Sequence, residues 1–101
     1  MIRVRQVFQT KWGKAHEVAE GMKRSAEIVN EILGGSNLRI LTDLSGDFHR
    51  VVQEFEVESM AVWEENASKI FSHPELQKAM AESEGLIESG YREFYAVEYA
   101  G

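Results

Sequence analysis

The chain opens with a strand pattern and then changes to a helical one. Residues 2–9 alternate between two sets of side chains, with Ile2, Val4, Gln6 and Phe8 on one side and Arg3, Arg5, Val7 and Gln9 on the other. This period of two predicts a first β-strand with polar positions on both faces. From Lys14 to Leu33, apolar residues recur every three or four positions, which predicts an amphipathic helix of about five turns. Gly34-Gly35 predicts its end, because glycine readily adopts the left-handed conformation of a helix C-cap.

Three more strands are predicted further along the chain. Residues 37–43 and 48–58 are rich in β-branched and aromatic residues and are joined by the short loop Leu-Ser-Gly-Asp, so they predict an antiparallel hairpin. Residues 91–99 alternate in the same way and predict the last strand.

Between the hairpin and the last strand, the pattern predicts a helix in two pieces. Ser59 is the predicted N-cap of the first piece, which carries apolar residues on one side at Met60, Trp63, Ala67, Ile70 and Phe71. Ser72 and Glu75 form a capping-box pattern, and proline is tolerated in the first turn of a helix, so a second piece is predicted from Pro74 to about Ile87.

The order β-α-β-β-α-β is typical of a ferredoxin-like α+β fold, expected here as a single domain over residues 1–101. It predicts a four-stranded antiparallel sheet with the helices on one face and the first and third strands in the middle. The open face is predicted to carry either the Ile2/Val4/Phe8 set or the Val7 set, together with Leu41, Phe94 and Ala96. A half-apolar open face predicts a homodimer in which two sheets form a closed barrel, the alternative being a monomer with a mixed open face.

Composition narrows the function classes. The chain has 101 residues and is 44% hydrophobic. Because a chain this short buries a limited share of its surface, it would gain stability from burial against a second subunit. The absence of cysteine excludes a disulfide framework, a thiol nucleophile and a zinc-thiolate site. Neither a signal-peptide pattern nor an apolar segment of membrane-spanning length is found, so we expect a cytoplasmic protein that does not insert into membranes.

Charge is divided unevenly along the chain. Residues 1–50 contain 8 Lys/Arg and 6 Asp/Glu, whereas residues 51–101 contain 3 and 11, within a net charge of −6. Nucleic-acid binding requires a basic surface that can displace phosphate counterions. The acidic balance therefore argues against nucleic acid as a partner and is typical of solvated helix faces.

Candidate chemistry lies where polar residues replace apolar ones. In the third strand, His49 and Gln53 lie on the same side as Val51, Phe55 and Val57. This more apolar side is expected to face the helices. Gln6 of the first strand is expected to lie beside them. An imidazole titrates near neutral pH and can act as a general base, while amides can stabilise a phenolate or enolate. The alternative is that all three are satisfied strand residues, and a register error of one residue would reverse these orientations.

Acidic residues alternate on the other side of the third strand. Glu54 and Glu56 are expected to face Arg3 and Arg5 of the first strand, and Glu58 continues the series. Opposite charges across neighbouring strands stabilise their pairing, and no histidine accompanies these acids. The pattern therefore predicts a ladder of ion pairs rather than a metal site, and no metal is expected.

Two short motifs carry a resemblance to a known family. Gly13, Lys14 and Glu17 form a Gly-Lys-x-x-Glu motif after the first strand, and residues 71–82 resemble a Phe-x-x-Pro-x-Phe-Gln stretch at the start of a helix. Both are similar to the dimeric α/β barrel superfamily, in its NIPSNAP and antibiotic biosynthesis monooxygenase branches. The resemblance implies a homodimer and, in each subunit, a small pocket between the sheet and the helices.

Further ligand-binding candidates follow from this layout. Trp12 is expected either to cover the end of the sheet or to act as a pocket lid or dimer contact. Trp63 is expected in the core, with ligand binding as the alternative. His73 is a helix-cap neighbour that the family layout places near the pocket mouth. Tyr95 shares one strand face with Tyr91 and Tyr99, where it serves packing or stacks on a ligand.

Two functions remain open from the sequence. The first is a dimeric binding or structural module, which the NIPSNAP resemblance permits, with a small aromatic molecule as its expected ligand. The second is a cofactor-independent monooxygenase for an aromatic or quinol-like substrate, with His49 deprotonating a phenol; no cofactor is predicted for either. Gln6 stands where the monooxygenase branch commonly has asparagine. The Asn, Trp and His set of haem-degrading members is not reproduced, since Asn66 falls near the position of their tryptophan.

Overall fold

The computed structural model describes all residues from Met1 to Gly101. Its seven main elements are β1 (Ile2–Thr10), α1 (Ala15–Leu33), β2 (Arg39–Thr42), β3 (Arg50–Val57), α2 (Met60–Ser72), α3 (Pro74–Ser83) and β4 (Ile87–Ala96). The four strands form one antiparallel sheet in the order β2-β3-β1-β4. The predicted ferredoxin-like fold, with β1 and β3 at the centre and the helices on one face, is confirmed.

The helix-facing side of the sheet contains the core. Val4 of β1 lies between Phe55 of β3 and Phe94 of β4, so these three side chains share one face. Phe55 and Val4 are almost completely buried, and the Phe55 ring lies 5.4 Å from the ring of Trp63 on α2. A second group of buried residues, including Val18 of α1, covers Val51 near the other end of the sheet.

The opposite, open face carries the Val7 set of β1, one of the two predicted possibilities. Leu41 lies on this face as expected, opposite Val52. The same prediction for Phe94 and Ala96 is wrong. The register places them opposite Val4 and Ile2, on the helix side, and the Phe94 ring contacts the ring of Trp63 at 5.8 Å.

The helix ends follow local sequence signals, with one exception. Gly34 adopts the left-handed conformation at the end of α1 (φ 73°), as predicted. Ser59 accepts a hydrogen bond from the Val62 N–H at 3.2 Å and caps α2. The predicted cap of α3 by Ser72 is wrong, because His73 takes this position and its Nδ1 accepts a hydrogen bond from the Glu75 N–H.

The last strand begins earlier than its sequence suggests. The α3 helix ends at Ser83 and is followed by a 3₁₀ turn over Glu84–Leu86, so the predicted continuation of the helix to Ile87 is wrong. Residues Ile87–Ala96 pair along the whole length of β1, and this long ladder extends the strand four residues upstream of the predicted start. Tyr99 lies beyond the strand and is exposed.

None of the helices has both the length and the apolar composition required to span a bilayer.

Candidate functional site

A cavity of about 690 Å³ lies between the helix-facing side of the sheet and the three helices. Thirteen of its twenty lining residues are hydrophobic, so most of the wall is apolar. The apolar wall comes from every layer of the fold and includes Phe8, Phe55, Val18, Met22, Trp63, Phe71, Leu76 and Met80. Ligand pockets of small-molecule-binding proteins have this size and this mostly apolar lining, with a few polar groups that fix orientation.

The polar groups of the cavity form one row across the sheet. Gln6 at the centre of β1 lies opposite Gln53 of β3 on one side and Arg92 of β4 on the other. All three side chains project to the helix side and line the cavity. The row results from strand alternation, because residues directly opposite one another in an antiparallel sheet share a face.

The guanidinium of Arg92 is held by contacts to neutral groups. Its Nη2 donates a hydrogen bond to Gln6 Oε1 at 3.4 Å, and its Cζ lies 5.1 Å from the ring centre of Trp63 and 5.6 Å from that of Phe71. Arg92 stands at the mouth of the cavity and is exposed to solvent on its outer side. Partial burial by these neighbours lowers the pKa of Arg92 from its usual value.

Arg92 has no carboxylate partner. Its side chain takes part in none of the ion pairs of the molecule, which all have N–O distances within 4.0 Å. Glu84, the one carboxylate residue that lines the cavity, is not paired with it either. The cavity therefore presents an unpaired cation at its polar end.

Three of the predicted ligand-binding residues meet in this cavity. Gln6, Gln53 and Trp63 all line it, in agreement with the expected orientations of β1 and β3. The sequence reasoning missed Arg92. The sequence does contain a signal for Arg92, because it is the one charged residue on the helix-facing side of β4, which consists of Gly90, Arg92, Phe94 and Ala96. The signal was overlooked because Phe94 had been assigned to the open face.

His49 is not brought to Gln6 and Gln53. It precedes β3 in a left-handed backbone conformation (φ 65°), which breaks the alternation of the strand and turns the side chain away from the cavity. The imidazole instead lies 4.3 Å from the ring of Trp12, and its Nδ1 accepts a hydrogen bond from the Gly13 N–H. The predicted cluster of His49 with the two amides is therefore corrected.

Trp12, Phe48 and His49 form an aromatic cluster where the β1–α1 corner meets the β2–β3 loop. The Trp12 and Phe48 rings are 6.2 Å apart, and both side chains are largely exposed. The cluster covers the end of the sheet, and its aromatic side chains do not line the cavity. Trp12 thus lies outside the cavity wall, and a dimer contact of its exposed ring stays a prediction.

The two remaining candidates also lie outside the cavity wall. His73 is the N-cap of α3, where its ring accepts the backbone hydrogen bond described above. Tyr95 lies on the open face of the sheet, and its hydroxyl donates a hydrogen bond to Glu93 Oε2 at 2.8 Å. This bond stabilises the neutral phenol, which raises the pKa of Tyr95.

Glu54 and Glu56 of β3 are paired with arginine, as predicted, whereas Glu58 lies beyond the strand and forms no ion pair. Arg3 Nη2 donates to Glu54 Oε1 at 2.6 Å, and Arg3 also lies 3.6 Å from Glu56. Arg5 lies between Glu54 and Glu93 at 3.4 and 3.6 Å. The ladder occupies the open face, so it is separated from the cavity by the sheet itself.

Fold and cavity together define a class of protein: a ferredoxin-like α+β domain with a pocket between sheet and helices. Among solved structures, a NIPSNAP family protein from Agrobacterium tumefaciens superposes with a TM-score of 0.84 at 19% identity, over 98% of this chain and 95% of that one. A NIPSNAP domain protein from Burkholderia xenovorans also has a TM-score of 0.84, at 16% identity, over 100% and 99% of the two chains.

The monooxygenase branch also shares this fold. A protein from Nitrosomonas europaea, named for the antibiotic biosynthesis monooxygenases, superposes with a TM-score of 0.74 at 15% identity over 98% of this chain and 100% of that one. No family model and no curated protein matches the chain. The fold implied by the short motifs is thus confirmed. Sequence identities this low show a shared fold and do not show a shared function.

Proposed function

We propose that this protein is a homodimeric binding module that holds a small apolar molecule in the cavity between its sheet and helices. The observation that carries the proposal is the row of Gln6, Gln53 and Arg92 at one end of a mostly apolar cavity. An apolar wall supplies affinity through burial, and a few convergent polar groups select and orient the ligand. An aromatic body suits the wall, since Trp63 and Phe71 present ring surfaces to it.

A thermal-shift screen tests the ligand site. Purified protein is heated with aromatic acids, hydroquinones and their neutral analogues, and a ligand at 100 times its dissociation constant adds about 2.7 kcal/mol to the stability of the folded state. In a domain of this size, such a gain raises the unfolding midpoint by about 10 °C or more. If no compound of the panel raises the unfolding midpoint, the proposal is contradicted.

Two variants in which phenylalanine replaces an alanine locate the binding site. Ala79 lines the cavity, so Ala79→Phe should fill part of it and abolish the shift produced by any hit. Ala61 lies on the exposed side of α2 outside the cavity, so Ala61→Phe should leave the shift unchanged. Equal responses of the two variants would mean that the hits bind elsewhere.

The proposed homodimer uses the open face of the sheet. Leu41 and Tyr91 are partly exposed there, next to the arginine-glutamate ladder. A second copy would cover the apolar residues of this face. Sedimentation velocity should show a dimer that Leu41→Glu dissociates and Ala61→Glu does not. A monomeric parent protein would contradict this part of the proposal.

A cofactor-independent monooxygenase is the second candidate. The observation in its favour is the presence of hydrogen-bond donors from Arg92 and Gln6 at the polar end of the cavity, where they could hold the oxygen of a phenolate. The cavity wall contains no histidine, so the general base assigned to His49 in the sequence has no place in it.

Dioxygen uptake with hydroquinone substrates distinguishes the two candidates. A module should consume no dioxygen above the rate of the substrate alone. If turnover is found, Arg92→Gln should lower it and His49→Ala should leave it unchanged. Loss of turnover in the His49 variant would show that His49 takes part in catalysis.

A further inference from the structure

We propose that the cavity recognises a carboxylate attached to an apolar body, with Arg92 binding the carboxylate at the cavity mouth. The proposal rests on the proposed function and deepens it, because it names the chemical group for which the polar end of the cavity is built. It concerns the ligand alone and applies to a binding module and to an enzyme alike.

The first argument is the contrast between Arg92 and the other arginines. Arg3, Arg5 and Arg50 each lie within 3.6 Å of a carboxylate oxygen, and the remaining two arginines, Arg24 and Arg39, lie outside the cavity. Arg92 alone is unpaired and lines an apolar cavity. A guanidinium that is partly withdrawn from water lacks the charge partner that would offset its lost hydration, and an anionic ligand supplies one.

The second argument is the orientation of the guanidinium. Trp63 and Phe71 lie against it and Gln6 accepts one of its hydrogen bonds, so the group is positioned before any ligand arrives. Arginine has five N–H donors in a planar fork that matches the two oxygens of a carboxylate. With one donor used by Gln6, four remain for a ligand, which is enough for a bidentate pair. Such preorganisation favours tight binding because little side-chain freedom is lost.

The third argument is the arrangement of the wall around this group. The side chain of Gln53 lies two strands away in the same row and makes no hydrogen bond within the protein, so its amide can serve a second polar atom of the ligand. Beyond the row, Phe55, Met22 and Leu76 provide only apolar surface. An amphipathic acid therefore fits with its carboxylate at Arg92 and its body against this wall.

The test compares acids with their own amides. Binding of 2-naphthoic acid and 2-naphthamide, and of octanoic acid and octanamide, is measured by isothermal titration calorimetry near neutral pH, where a carboxylic acid is ionised. Each acid and its amide share the same body and differ in charge. The two pairs also distinguish an aromatic from an alkyl body.

We expect at least one acid to bind about 10-fold or more tightly than its amide, the ratio typical of a hydrogen-bonded charge pair. Arg92→Gln should abolish this preference and Arg92→Lys should retain part of it. Arg39→Gln, which removes an exposed arginine of the edge strand β2, is the matched control and should leave the preference intact. The unfolding midpoints of the variants verify that each is folded.

The outcomes separate this proposal from the proposed function. Amides that bind as tightly as acids, or an acid preference that survives Arg92→Gln, would overturn the carboxylate assignment and leave the binding module standing. No binding of any of the four probes would contradict both. An acid preference that is lost in Arg92→Gln, reduced in Arg92→Lys and retained in Arg39→Gln would support both.

Discussion

The two faces of the sheet use arginine in opposite ways. On the open face, Arg3 and Arg5 of β1 lie among Glu54, Glu56 and Glu93 of the flanking strands, so each positive charge has negative neighbours. On the helix face, Arg92 of β4 lies among aromatic rings and an amide. Paired charges stabilise strand register and association, whereas an unpaired charge beside a cavity is available to a ligand.

The largest difference between the faces should appear when a large side chain is truncated. Phe55 is buried on the helix face, so Phe55→Ala should lower the free energy of unfolding by about 3–5 kcal/mol. Tyr91 on the open face is half exposed, and Tyr91→Ala in the monomer should lower it by less than about 1 kcal/mol. Urea denaturation measures both.

Two controls support that measurement. If Phe55→Ala does not fold, Phe55→Leu keeps an apolar side chain at the site and should give a smaller loss of the same sign. Denaturation at two protein concentrations shows whether a dimer increases the loss for Tyr91. Losses of equal size for the two alanine variants, in a monomeric protein, would contradict the assignment of the core to the helix face.

Breaking the ladder on the open face should have an intermediate effect. Glu54 is largely shielded and contacts two arginines, so Glu54→Ala leaves Arg3 and Arg5 next to each other without their shared partner. Because both arginines are about 40% exposed, solvent screening limits the expected loss of unfolding free energy to about 1–2 kcal/mol.

The matched control for Glu54 is an exposed pair on α2. Glu65 lies 3.7 Å from Lys69 on the helix surface, so Glu65→Ala should cost less than about 0.5 kcal/mol. High salt should reduce the difference between the two variants, since screening acts on the charges of the open face. A Glu54 variant as stable as the Glu65 variant would show that the ladder adds nothing to stability.

Removing the unpaired arginine should have a smaller effect on stability. Without ligand, Arg92→Gln loses two cation–π contacts at a partly exposed site, which predicts a loss of less than about 1 kcal/mol. Arg3→Gln, which breaks the 2.6 Å ion pair to Glu54, should lower the thermal midpoint further. A greater loss for the Arg92 variant would mean that this residue serves the fold rather than a ligand.

The smallest expected effect is the loss of stability at alkaline pH caused by the titration of Tyr95 on the open face. Because the hydrogen bond to Glu93 raises the pKa of Tyr95 above its usual 10.0, its contribution to stability is fully present below pH 10.0 and is lost as the pH rises through the folded-state pKa. Tyrosinate absorbance should show the late titration, identified by its disappearance in Tyr95→Phe. Glu93→Gln should move the titration to lower pH, and an unchanged titration would contradict this cause.

Elements with strong periodicity or a local signal were predictable from the sequence. The amphipathic stripe that ends at Gly34, the Ser59 cap and the alternation of β1 all correspond to observed elements. The row of Gln6 and Gln53 was also predictable, because both residues follow an uninterrupted alternation. Trp63 was placed correctly by its position in a helical apolar stripe.

Predictions at the ends of elements were less accurate. His49 was assigned by extending the alternation of β3 one residue upstream of Arg50, whereas His49 itself has a left-handed backbone and lies against Trp12. The start of β4 was placed too late because its first residues are weakly β-forming, and pairing with β1 supplies the stabilisation that their composition lacks.

The sequence by itself determined the order of elements, the antiparallel α+β layout and which residues of β1 and β3 share a face, since these depend on the periodicity along each strand. Only the tertiary structure decided which face of β4 meets the helices and therefore that Arg92 joins the cavity while His49 does not. The physical reason is that strand register is a contact between distant segments, and a side chain changes face with each residue by which a register is displaced.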